Sequence, residues 1–326
     1  MFRLLSRPLF RLVPDNTAIP FMRGAVAGLV LSAILSSLSV VLAFYPGLER
    51  GIDFRGGIVM EARTPGPANL APLREAASAL NLGDVGLQEF GAPDQVLIRL
   101  PVQADEAGTQ RAVAAVRGAV EAAQPGTRIV RVEAVGERIS GELFRGGMIA
   151  LGISMFAMLL YIWIRFEWQF AIAAIITLIL DTTKVVGFLA ITRIEFNLTT
   201  VAAILTIIGF SANDKVVVFD RMRENLRKYK QMPLRELVDR SINETLNRSL
   251  GTSATLFLSA VPLALFGGDA LEGFAWTMLF GILVSAASSV FIAAPIVLFT
   301  GQRALRRVEG ASPAAVAAPA KPQAAP

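Results

Sequence analysis

Residues 198–219 read LTTVAAILTIIGFSANDKVVVF, and this run decides the fold. A bilayer core takes about 20 consecutive apolar residues to cross as a helix, and the run has that length. It also carries Asp214 and Lys215, side chains that are costly at membrane depth unless a protein interior receives them. A membrane helix with one face turned to neighbouring helices accommodates both features.

Working outward, five further runs have spanning length: residues 24–44, 146–164, 168–191, 249–266 and 273–299. The expectation is therefore an α-helical polytopic membrane protein with six transmembrane helices. The first run is longer than a signal-peptide core, and Phe44-Tyr45-Pro46 is no small-residue cleavage site, so it reads as an uncleaved helix. Cytoplasmic loops carry the excess of Lys and Arg. Arg3, Arg7, Arg11 and Arg23 precede the first run, and Arg165 follows the second. Eight basic residues fill 221–248, and Arg303, Arg306 and Arg307 follow the last run. This pattern puts both termini in the cytoplasm.

Between the first two runs, residues 46–140 regain charge, glycine and proline. Alternating apolar residues predict strands over 57–63, 85–90, 95–100 and 127–135, with a turn at Gly91-Ala92-Pro93-Asp94. Helical spacing appears over 69–82 and 105–124. The order β-α-β-β-α-β is the ferredoxin-like pattern, an α+β domain that the charge distribution puts on the extracytoplasmic side. The segments are then 1–23 (cytoplasmic), 24–45 (first helix), 46–140 (α+β domain), 141–302 (helices two to six) and 303–326 (a disordered tail). Within 221–248, apolar spacing from Leu234 to Leu246 predicts an amphipathic helix along the inner interface, the alternative being a solvated loop helix.

Composition narrows the chemistry. Hydrophobic residues make up 54% and charged residues 17%, against about 25% charged in soluble domains. There is no cysteine and no histidine, which removes thiol nucleophiles, the Ser-His-Asp triad and the usual zinc ligands. No metal or cofactor is expected. The chain has no Walker A loop, so no ATPase site of its own is expected either. The net charge of +5 is explained by the inner flanks of the spans rather than by nucleic acid.

Charges within the spans are candidates for function. Asp181 and Lys184 lie three apart on one helix face, as a working or a purely structural pair. Asp214 and Lys215 are adjacent and point about 100° apart, so one needs a partner on another helix. Asn213, Ser211 and Thr206 add hydrogen-bonding groups, which serve a pathway or simple packing. Arg248 opens the fifth span, where a snorkelling arginine is the plain reading.

Several motifs resemble one family. GIDFRGG at 51–57, FNLTTVAAILTIIGFSAND at 196–214, VVVFDR at 216–221, REN at 223–225 and SINETLNRS at 241–249 are similar to the SecD/SecF family, of the resistance-nodulation-division superfamily. The resemblance covers roughly residues 24–299. It implies an auxiliary subunit of the Sec protein translocase in the bacterial inner membrane. There it works with a SecD-like subunit and the SecYEG channel, with YajC and YidC as accessory partners. The proton gradient would drive export of unfolded polypeptide. Asp214 falls on the family's proton-path aspartate and Arg248 on its proposed partner, with Asp181, Lys184, Lys215 and Asn213 around them. Three positions depart from the pattern: Leu180 stands where histidine is frequent, Lys215 where threonine is frequent, and Lys184 at a usually apolar position. A small-molecule or lipid exporter half of the same superfamily is the alternative function.

Overall fold

The computed structural model describes residues 14, 17–83, 85–90 and 92–309. Arg3, Arg7 and Arg11, and the tail after residue 309, lie outside the described residues. The first membrane helix, α1 (Ala25–Leu42), leads through a further turn to the short α2 (Ile52–Arg55). Then come β1 (Gly57–Arg63), α3 (Leu70–Ser78), β2 (Gly86–Phe90), β3 (Ala92–Leu100), α4 (Glu106–Ala123) and β4 (Arg128–Val135).

The sheet order is β2-β3-β1-β4, and every neighbouring pair is antiparallel. Each helix therefore joins two parallel strands across one strand between them, an arrangement of two interleaved βαβ units. Alternation buries Ile58, Met60 and Ala62 of β1 on one face. They meet Leu73 and Ala77 of α3 and Ala112, Val116 and Val120 of α4. The four-residue spacing along α4 makes that apolar stripe. Asp105 caps α4 by accepting from the Gly108 N–H at 2.6 Å. The expected turn at 91–94 is tighter than its sequence suggests: β3 already begins at Ala92, which pairs with Phe90. The helix expected over 69–82 stops at Ser78, where the chain turns toward the left-handed Asn81 (φ 54°).

Five long helical segments follow. They are α5 (Glu137–Arg165), α6 (Trp168–Thr192), α7 (Leu198–Lys228), α8 (Leu234–Phe266) and the pair α9 (Asp269–Ser288) and α10 (Ala294–Glu309). Among the described residues, six helical stretches are long and apolar enough to cross a membrane. The protein is a multi-pass membrane protein with one small α+β domain. Its inner helices are α6, α7 and α9, while α1, α5 and α8 expose most of their apolar surface, as lipid-facing helices do. Contact between helices relies on small residues. An added Cβ on Gly187 of α6 would come within 2.2 Å of Ser39 on α1, and one on Gly281 of α9 within 2.2 Å of Ile207 on α7.

Two elements differ from expectation. Residues 221–248 do not form a separate interfacial helix. The fourth span continues to Lys228, and Leu234 begins a single helix that runs unbroken into the fifth span. No glycine or proline interrupts 234–250, whereas Pro233 fixes the break before it. Residues 303–309, expected to belong to a disordered tail, are helical, because α10 runs to Glu309.

Candidate functional site: a buried charge cluster across three helices

The sixth span contains a π-helical turn, Ser289–Ala293. Pro295, just beyond it, has no N–H to donate to the Phe291 carbonyl, so the α-helical ladder must break here. That carbonyl packs against Gly28 of α1, where an added Cβ would lie 2.9 Å away. The turn brings two consecutive serines to two different carboxylates. Ser288 Oγ donates to Asp181 Oδ2 at 2.6 Å, and Ser289 Oγ donates to Asp214 Oδ2.

Asp181 is the hub. Its Oδ2 also accepts from Ser211 Oγ at 2.9 Å and from Lys215 Nζ at 3.0 Å. Its Oδ1 faces Lys184 Nζ at 3.7 Å, an ion pair without a hydrogen bond. Asp181, Lys215 and Ser211 are at most 2% exposed. The Lys215 ammonium further donates to Ser211 Oγ, to the Ser211 carbonyl at 3.3 Å and to Ser288 Oγ at 3.2 Å. The four-residue spacing of Ser211 and Lys215 puts both on the α6-facing side of α7.

Asp214 is equally buried, at 3% exposure, but differently served. Among the described residues, no Lys or Arg lies within ion-pair distance of it, and its side-chain partner is Ser289. Ser289 Oγ also lies 3.0 Å from the Ser285 carbonyl. That hydroxyl can donate to an ionised Asp214. When Asp214 is protonated, it can instead accept from it and turn its own proton to Ser285. Either state of the carboxyl is then hydrogen-bonded, which lowers the cost of changing between them in a buried place.

Of the six candidate residues, Asp181, Lys184 and Lys215 meet directly, and Asp214 joins them through Ser288-Ser289. The other two are elsewhere. Asn213 is exposed on the outer side of α7. Arg248 is exposed on α8 and, among the described residues, makes no ion pair with Asp214. Thr206 bonds back to the Ala202 carbonyl of its own helix. Ser288 and Ser289 were missed by sequence reasoning. The only signal was Pro295 downstream, whose effect on the ladder cannot be assigned to a particular serine without the turn. Among the described residues no cluster of three or more carboxylates that could hold a metal is present.

Both ends of α7 are tied down. At its N-terminal end, Asn197 and Thr200 form a reciprocal capping box, with Asn197 Oδ1 accepting from Thr200 N at 3.0 Å and Thr200 Oγ1 from Asn197 N at 2.9 Å. Asp53 of α2 accepts from the Leu198 N–H at 3.0 Å, satisfying another free donor of the first turn. Main-chain bonds join Gly51 N to the Phe196 carbonyl and Phe196 N to the Glu49 carbonyl, and Phe54 packs between Phe144 and Phe196. Arg99 of β3 pairs with Glu195. At its C-terminal end, Arg221 and Asn225 both donate to Glu244 Oε2 at 2.7 Å. The same stretch of α8 clasps the segment before α1: Asn243 exchanges two hydrogen bonds with the Ile19 backbone, and Asp239 accepts from Met22 N at 2.8 Å.

Residues 115–303 match the family described as protein export membrane protein SecD/SecF, C-terminal. The protein translocase subunit SecF of Rhodobacter capsulatus is 40% identical over 304 residues, covering 89% of this chain and 91% of that protein. SecF of Rickettsia akari is 38% identical, covering 90% and 95%. A SecDF protein of Brucella abortus is 40% identical, but the chain covers only 38% of its length. The crystal structure of SecDF from Thermus thermophilus, a translocon-associated membrane protein, superposes with a TM-score of 0.81 at 29% identity. It matches 92% of this chain, which spans 41% of that structure's length. On its sequence over nearly its whole length, and on its fold, the chain belongs to the SecD/SecF family of protein export membrane proteins.

Proposed function

We propose that the chain is a membrane subunit of the protein translocase that couples the proton gradient to export of unfolded polypeptide. It acts with a SecD-like partner that supplies the portion of SecDF this chain does not span. It resides in the bacterial inner membrane with both termini in the cytoplasm, as the basic inner loops favour. SecYEG is the channel it serves, with YajC and YidC as accessory partners, and it works without an ATPase site of its own.

The observation that carries this reading is Asp214. It is a buried carboxylate with, among the described residues, no Lys or Arg within ion-pair distance and a serine able to serve both of its protonation states. Asp181, by contrast, is paired with two lysines. Asp214 is therefore the group that takes a proton from one side and releases it to the other. Protonation changes the charge borne by α7, and α7 is one continuous helix of 31 residues whose first turn is bonded to the base of the extracytoplasmic domain. Rearrangement of the charge cluster thus has a direct path to that domain.

The test is secretion of a reporter into inside-out membrane vesicles carrying Asp214→Asn. Loss of the stimulation by the proton gradient, with the partner complex still assembled, is the expected result. Full retention of the stimulation overturns the reading. Loss of the complex itself assigns Asp214 to assembly instead.

A further inference from the structure

Lys215 carries more than charge balance. Its Nζ sits among four oxygens: Asp181 Oδ2 at 3.0 Å, Ser288 Oγ at 3.2 Å, the Ser211 carbonyl at 3.3 Å and Ser211 Oγ. One carboxylate, two hydroxyls and one main-chain carbonyl, all buried, form the donor set that a hard cation such as sodium takes. The ammonium is tethered to α7 and cannot leave. Asp181 already faces two ammonium groups, and Nζ occupies the position a bound cation would take, so the cage has no unpaired carboxylate with which to recruit a metal cation.

We propose that Lys215 is a specificity-determining residue: a built-in cation that fills a would-be sodium site and leaves the proton as the only ion this cluster exchanges. This rests on the reading of Asp214 as proton acceptor and names what restricts it. Shortening Lys215 to threonine opens the cage and removes one positive charge from the cluster. The variant is then expected to bind sodium.

The experiment measures thermal unfolding of the full-length protein, purified in detergent, as sodium chloride replaces choline chloride at fixed ionic strength and pH. A ligand that binds only the native state raises the midpoint as it saturates. The unmodified protein is expected to be indifferent to the exchange, and Lys215→Thr to gain a saturable rise of about 2–4 °C. A saturable rise in the unmodified protein overturns the proposal, as does a folded Lys215→Thr protein that ignores sodium. If Lys215→Thr does not fold in choline chloride, it is purified in sodium chloride. Recovery there supports the proposal, and failure in both salts overturns it. Sodium binding is read without transport, so it is separable from the secretion assay: Asp214→Asn can fail its own test whichever way the midpoints fall.

Discussion

Asp181 and Asp214 are two similarly buried carboxylates with opposite surroundings. Asp181 has two ammonium groups and two hydroxyls, whereas Asp214 has one serine. Removing one partner of a buried ion pair leaves a buried charge uncompensated, at a cost of about 3–5 kcal/mol. Lys215→Met in the absence of added sodium is therefore expected to destabilise the protein by about that much, measured as a shift of the unfolding midpoint in detergent. Asp214→Asn removes no cation's partner and is expected to shift it by less than about 1 kcal/mol. Equal losses for the two variants contradict the division of labour between the carboxylates. Ser289→Ala removes the group that serves both states of Asp214. It is expected to shift the pH dependence of proton-driven secretion while leaving complex assembly intact, and an unchanged profile contradicts the role given to Ser289.

At the level of elements, the two close helix contacts and the π-helical turn explain how the charges are brought together. A side chain at Gly281 would overlap Ile207, so Gly281→Val is expected to push α9 from α7 and cost about 1–3 kcal/mol, read from the same unfolding measurement. Much of this architecture was legible in the sequence. The six spans follow from apolar length, β1 from strict alternation, and Asp181, Lys184, Asp214 and Lys215 from being charged where charge is costly. What was not legible is which way a side chain faces on a helix apolar all round. Asn213 lies one residue from Asp214 yet faces outward, and Arg248 falls at the start of the apolar run, in the middle of α8, where its exposed face could not be read. Serine is common at membrane helix contacts, so Ser288 and Ser289 stood out from no other serine until the turn fixed their directions. The continuity of 234–248 with the fifth span was hidden because an amphipathic stretch and an apolar one follow each other without a breaker.

Across the whole molecule, α7 runs about 46 Å from the α+β domain past the charge cluster to the clasp on α8. Asp53 is the joint at its N-terminal end. Asp53→Ala removes the acceptor for the Leu198 N–H, at a cost near 1 kcal/mol, comparable to the loss of a helix cap. It is expected to lower proton-driven secretion by far more than this stability loss explains, with the complex intact. Secretion that falls only in step with the folded fraction contradicts a coupling role for the joint. The central claim is that Asp214 is the group that exchanges protons. Infrared difference spectroscopy of the reconstituted protein across a pH titration measures it directly through the carbonyl stretch of a protonated carboxyl. A titrating band that is present in the unmodified protein and absent in Asp214→Asn is the predicted result. A band of undiminished amplitude in Asp214→Asn contradicts the claim.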